Sequence, residues 1–207
     1  MTRAEQRIAT RTAILDAAGQ CLVDDGYAGL TTRRIAERAN VAQSTLMHHF
    51  PTRETLLVEA VSHLALRLAD AALEDVDFSA ARDPDRREEM LDHVWRVFTS
   101  PESLAAAQLW FAAWTEPELA AALRDLEERL TDVFLAAATT VLGDLMDHPD
   151  FPALLETGLS VIRGLVVTIP VSGREEADAR WESIRPVLNR LASELLDAPR
   201  VASLRSA

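Results

Sequence analysis

Lysine is absent from this 207-residue chain, and cysteine and tyrosine each occur once. With Cys21 alone, neither an internal disulfide nor a thiolate metal cage can form, which fits a reducing cytoplasm. No apolar run reaches the ~18 residues of a membrane span, so no membrane partner is expected. The opening Met1-Thr2-Arg3-Ala4-Glu5-Gln6-Arg7 has no apolar core, and no secretory leader is expected. Sustained two-residue alternation is missing, which leaves little room for β-structure. Catalytic signatures are missing too: there is no Gly-rich phosphate loop, no G-x-S-x-G elbow and no H-E-x-x-H pair. The residues three before the histidines are Thr45, Leu46, Ala60, Met90 and Leu145, so the Glu-x-x-His of a di-iron bundle is absent as well. Neither enzymatic activity nor a cofactor or metal is expected.

The net charge is −12, with 21 arginines as the only basic residues apart from histidine. Its sign is unevenly distributed. Residues 1–53 carry +2 and residues 54–207 carry −14. An acidic body repels a polyanion everywhere except at the end that is not acidic.

Nearly every segment repeats its apolar residues at helical spacing. A first helix over about 5–24 turns Ile8, Ile14, Leu15, Ala18 and Leu22 inward and stops at Gly26. Thr31 or Thr32 caps a short helix to Ala39. A third runs from about Ala42 to His49, Pro51 breaks it, and Thr52 caps a long helix to about Glu74. After an acidic joint at Asp75–Pro84, helices are expected near 85–99, 102–114, 117–146, 152–169 and 175–197, with Pro101, Pro117, Pro149, Pro152 and Pro170 at the joints. Pro186 lies inside the last helix, and residues after Pro199 are expected to fray. The fold class is therefore all-α, about nine helices. Residues 1–52 form a three-helix helix-turn-helix domain. Residues 53–207 form a helical ligand-binding and dimerisation domain, with 53–74 as the connecting helix.

Residues 30–50 carry the functional signal. Ile35, Ala36 and Ala39 face inward on one short helix, and Leu46 and Phe50 on the next, with Val41 plugging the turn. So short a turn needs one residue at positive φ, and Asn40 holds that place. This is helix-turn-helix geometry, in which the second short helix presents its first residues to the DNA major groove. The residues Gly26-Tyr27, Leu30-Thr31-Thr32, Ile35-Ala36, Val41, Thr45-Leu46, His49-Phe50, Arg53 and Leu56-Leu57 resemble the tetracycline-repressor (TetR) family over about residues 8–62. That resemblance implies a double-stranded DNA operator as partner. It implies contacts from Thr32, Arg33, Gln43, Ser44, Thr45, Met47, His48, His49 and Arg53, with Arg3, Arg7 and Arg11 at the groove edge. Gln43 and Thr45 would read bases, and His48, His49 and Arg53 would touch phosphates. The family usually has Gly, Ser, Gly or Pro, and Tyr where this chain has Asn40, Ala42, Ser44 and Met47. A Met cannot bond phosphate as a Tyr hydroxyl does, which implies an altered operator preference.

The body has two expected tasks. Apolar stripes place Leu155, Leu159, Ile162 and Val166 on one helix and Trp181, Ile184 and Leu188 on the last, with Gly158 and Gly164 allowing close approach. They suit a four-helix bundle between two copies, a homodimer, although the same stripes would fill the core of one chain. Met90, His93, Trp95, Phe98, Trp110, Phe111 and Trp114 could line a cavity for a small apolar or aromatic effector, with Gln108 among its polar handles, or could simply be core. Together these features describe a cytoplasmic transcriptional regulator, most simply a repressor. The alternative is a helical-bundle enzyme or interaction module without sequence-specific DNA binding.

Overall fold

The computed structural model describes residues 2–75, 77–143 and 148–196, and the stretch after Pro199 lies outside them. Among the described residues there are nine α-helices, one short 3-10 turn and no strand. The helices are α1 (Arg3–Gly29), α2 (Thr32–Arg38), α3 (Gln43–His49), α4 (Arg53–Asp75), α5 (Pro84–Phe98), α6 (Pro101–Ala112), α7 (Pro117–Leu142), α8 (Phe151–Ser172) and α9 (Arg174–Leu196); the 3-10 turn is Phe78–Arg82.

Local chemistry sets most of these ends. Thr2 and Glu5 form a reciprocal capping box at the start of α1: Thr2 Oγ1 accepts from Glu5 N (3.2 Å) and Glu5 Oε2 accepts from Thr2 N (2.9 Å). The first arginines therefore belong to helical turns and do not form a loose arm. Thr31 Oγ1 caps α2 through Arg34 N (3.3 Å), Thr52 Oγ1 caps α4 through Thr55 N (3.1 Å), and Ser100 Oγ caps α6 through Ser103 N (3.2 Å). Gly26 takes the left-handed φ expected of a helix stop, 68°, but the chain then resumes its helix to Gly29. Similarly, α8 runs through Pro170, expected as a joint, and ends at Gly173, where φ is 84°. A proline costs a helix one N–H and one carbonyl partner, which a last turn tolerates.

Two compact units result. The first holds α1–α4, α6 and α7 as far as Leu135; the second holds the 3-10 turn, α5, the end of α7, α8 and α9. In the first, α1 packs against α2, α4 and α6, and α4 packs against α6. Ile14, Ala18, Cys21, Leu22, Ile35, Ala36, Leu46, Phe50, Leu56, Leu109 and Leu126 form one buried cluster there. The Ile, Leu and Phe side chains of this cluster contribute roughly 1.5–3 kcal/mol each relative to exposure. In the second unit α9 packs on α8 and α5, burying Trp95, Ile162, Val166, Ala177, Trp181 and Leu188. Among the described residues, α8 alone has the length and composition to cross a membrane. Its most apolar 18-residue window has mean hydropathy 1.6, and only 17% of that window is buried. Glu156 and Arg163 interrupt its apolar run.

Candidate nucleic-acid interface

The turn between α2 and α3 is closed by backbone alone. Asn40 has φ 54°, the only positive φ outside glycine among the described residues. Val41 N donates to Ala36 O (3.0 Å) and Asn40 N to Glu37 O (3.2 Å). This is the paired bond pattern of a Schellman ending, which needs a left-handed residue just past the helix cap. Asn tolerates that conformation better than other residues with a Cβ. The turn leaves Val41 half-buried and swings α3 so that Leu46 and Phe50 are fully buried.

The opposite side of α3 faces outward. Gln43, Ser44, Met47 and His48 are exposed, and Thr45 and His49 are half-buried. Gln43 Nε2 donates to Thr32 Oγ1 at 3.4 Å, joining the first residues of α3 and α2. That bond uses one amide proton and leaves the other, with Oε1, free for a base edge. Arg33 is exposed and pairs with Glu37 one turn on (2.9 Å). Such a surface pair is worth little and exchanges readily for a phosphate. Arg34 and Arg38 pair with Asp25 and Asp24, so both are ion-pair residues. Arg53 is exposed at the first position of α4, and its guanidinium lies 5.6 Å from the centroid of the Tyr27 ring.

His49 packs edge-on to His48, with ring centroids 6.0 Å apart. Burial lowers its pKa below the ordinary histidine value, helped by the nearby positive charges of His48, Arg7 and Arg11. The unfolded chain then takes up a proton that the native state refuses. Stability held above the ordinary histidine pKa is accordingly lost as pH falls through it. Between about pH 7 and pH 5.5 the wild type should lose more of its urea-unfolding free energy than His49→Asn does. Parallel pH profiles for the two proteins would contradict this.

Charged pairs also tie α1 to α4. Arg11 pairs with Glu59 and lies over the Phe50 ring, 4.8 Å from its centroid. Asp16 accepts from Arg67 Nη1 (2.6 Å) and bonds His63 Nε2 (2.8 Å). Burial alone would raise the Asp16 pKa, but the bonds from His63 and Arg67 outweigh it and hold it low.

The proposed effector residues fall in both units. Met90, His93, Trp95 and Phe98 belong to the second unit, and Trp110, Phe111 and Trp114 to the first. Trp95 is 4% exposed and stacks on Trp181, with centroids 5.2 Å apart and planes at 8°. Each indole N–H of this pair donates to a carboxylate on the other helix: Trp95 to Asp178 (2.7 Å), Trp181 to Asp92 (2.8 Å). His93 is half-buried, and its Nε2 is enclosed without a hydrogen-bond partner. In the first unit Trp110 packs on the core and donates to Glu127 (3.2 Å), while Phe111 and Trp114 are exposed. Gln108 holds the end of α1, its Oε1 accepting from Tyr27 N at 3.0 Å.

Of the proposed dimer residues, Ile162, Val166, Trp181 and Leu188 are buried within the single chain. Leu159 and Ile184 are half-buried, and Leu155 is 40% exposed. The exposed apolar residues of α8 also include Val167 and Val171, with Val187 on α9. A Cβ at Gly158 or Gly164 would meet only open space.

Sequence reasoning did not find the bond between Thr32 and Gln43, or the grip of Gln108 and Glu116 on Tyr27. Gly26-Tyr27 stood out as a pair, but nothing in a linear pattern links position 27 to positions 108 and 116.

Residues 14–60 match the sequence profile of bacterial regulatory proteins of the tetR family. The chain is 48% identical over 52 residues to the uncharacterized HTH-type transcriptional regulator YvkB of Bacillus subtilis, covering 25% of this chain and 27% of that one. It is 31% identical over 118 residues to the HTH-type transcriptional regulator BetI of Rhizobium meliloti, covering 56% of each. The chain thus spans about a quarter and about half of these two relatives. Among solved structures, the multidrug binding protein EbrR complexed with proflavin has a similar fold, with a TM-score of 0.58 at 23% identity over 88% of this chain and 99% of that one.

Proposed function

We infer, from a chain that belongs to the tetR family of bacterial regulatory proteins, that this protein is a DNA-binding transcriptional regulator whose grip on a palindromic operator is released by a small ligand. One observation carries the reading. Asn40 at φ 54° closes a turn that buries Leu46 and Phe50 and leaves Gln43, Ser44, Met47 and His48 outward on one short helix. Inward anchoring with an outward polar face is what a helix needs in order to lie in a major groove. In this reading residues 1–52 form the DNA-reading domain, 53–207 the effector and dimerisation domain, and 53–74 the connecting helix.

Gln43 reads adenine through its free amide proton and Oε1, and Thr45 offers a hydroxyl and a methyl group. Arg33, His48, His49 and Arg53 take phosphates, and Thr32 orients Gln43. Met47 meets apolar groups such as a thymine methyl. The regulator works in the cytoplasm as a homodimer, since two half-sites one helical turn apart need a two-fold partner. The water-facing apolar residues of α8 and α9, with open space at Gly158 and Gly164, support a second copy as the cover of that face. The effector is small and apolar or aromatic, a reading that proflavin bound to EbrR supports. It prefers a state in which the reading heads no longer fit the operator, and binding shifts the population toward that state. With no ligand bound the protein represses.

Gln43→Ala should weaken binding by ~1–3 kcal/mol and relax preference at one base pair. Arg53→Ala should weaken every sequence alike and flatten the dependence on salt. Gel-shift titrations over a panel of operator variants check both, and equal losses on every variant for Gln43→Ala would remove its reading role.

A further inference from the structure

Where α1 gives way to α2, three contacts converge on one residue that no base-reading role requires. Tyr27 follows the Gly26 kink, and its backbone N–H donates to Gln108 Oε1 of α6 (3.0 Å). Its hydroxyl donates to Glu116 Oε2, just ahead of α7 (2.6 Å). Its ring meets the Arg53 guanidinium, 5.6 Å from the centroid. A side chain at Gly26 would be strained by its φ of 68° and would crowd this arrangement, because a Cβ there would lie 3.0 Å from Gln108 Oε1.

We propose that Tyr27, held by Gln108 and Glu116, positions Arg53 for a DNA phosphate, so that the joint between α6 and α7 sets how firmly the reading head grips the DNA backbone. The inference rests on reading Arg53 as a phosphate contact. Among the described residues Arg53 makes no ion pair, and the Tyr27 ring face meets its guanidinium. A ring face restrains a guanidinium without using up its N–H donors. The donors that Tyr27 does not engage stay available for phosphate oxygens while the long side chain is already confined. The negative Glu116 carboxylate fixes the ring by accepting from its hydroxyl and adds to the electron density facing the cation. Burial, and then the Glu116 carboxylate, raise the Tyr27 pKa, so the hydroxyl remains a donor across the ordinary pH range. A shift of the α6–α7 joint that withdraws Gln108 and Glu116 would free the ring and loosen Arg53. Affinity would then fall on all DNA sequences alike, with no base contact changed.

The test uses the full chain. Tyr27→Phe keeps the ring and removes the hydroxyl; Glu116→Gln keeps an acceptor and removes the charge. Each is made alone and with Arg53→Ala, and duplex binding is titrated across salt concentrations, with thermal midpoints recorded alongside. Each single variant is expected to weaken binding roughly three- to tenfold on every operator variant and to flatten the salt slope. In the Arg53→Ala background the same changes should cost less than about twofold, because their effect passes through Arg53. Undiminished losses in that background overturn the proposal, and so does wild-type binding by both single variants while Arg53→Ala binds weakly. An Arg53→Ala protein that binds as well as wild type overturns the phosphate reading itself, and this proposal with it.

Discussion

Phe50→Ala is expected to destabilise the reading head by about 3–5 kcal/mol, the usual range for emptying a closed aromatic site. Phe50 is fully buried at the end of α3, and its N–H caps the helix by donating to Leu46 O (2.8 Å). Its ring is part of the buried cluster that holds α1, α2, α3 and α4 together and is the surface on which Arg11 rests. Removing it leaves a cavity within that buried cluster. Against a total stability of roughly 5–15 kcal/mol, that loss is large. Urea unfolding should show a lower midpoint at an unchanged slope, and DNA binding should fall in parallel. A change under about 1 kcal/mol would mean that Phe50 is not the anchor of α3.

Trp181→Ala should cost the second unit a similar ~3–5 kcal/mol. The ring is 2% exposed, stacks on Trp95 and donates its N–H to Asp92. Asp92 also accepts from Arg185. Burial would raise the Asp92 pKa, but the bonds from Arg185 and Trp181 outweigh it and keep the carboxylate ionised. Deleting the indole thus leaves both a cavity and a partly buried charge with one partner fewer. Trp181→Phe keeps much of the stack and loses the N–H donor, and should cost less, on the order of 1–2 kcal/mol. The sequence pattern suited Trp181 to a dimer surface or to the core of one chain, and the structure buries it against α5. Burial within one chain predicts a loss that is independent of protein concentration. A loss that vanishes at high protein concentration would return Trp181 to the interface between copies.

How much of this was legible in sequence depended on distance along the chain. Thr31, Thr52, Asn40 and Pro51 act within a turn or two, so their cap, turn and break signals were readable, and the helix order followed from them. Gly26 was readable as a left-handed residue, but its outcome was not. A further short turn follows it, where Gln108, more than 80 positions away, accepts from Tyr27 N. The aromatic group shows the same limit. Trp95 and Trp110 share helical spacing within a short span, yet one closes a stack with α9 and the other packs on the core of the first unit. Period alone marks which side chains turn inward, and it does not choose their partners. The outward residues of α3 were legible because a helix that is inward-anchored at Leu46 and Phe50 must turn Gln43, Met47 and His48 outward.

The most direct measurement is selection of bound duplexes from a random DNA pool by the full-length protein, followed by a salt titration of the recovered sequence. The account predicts a two-fold symmetric site with half-site centres about 34–36 Å apart and an affinity that drops steeply as salt rises. A pool that yields no shared sequence, or a protein that stays monomeric and leaves duplex DNA unbound at low salt, would contradict it.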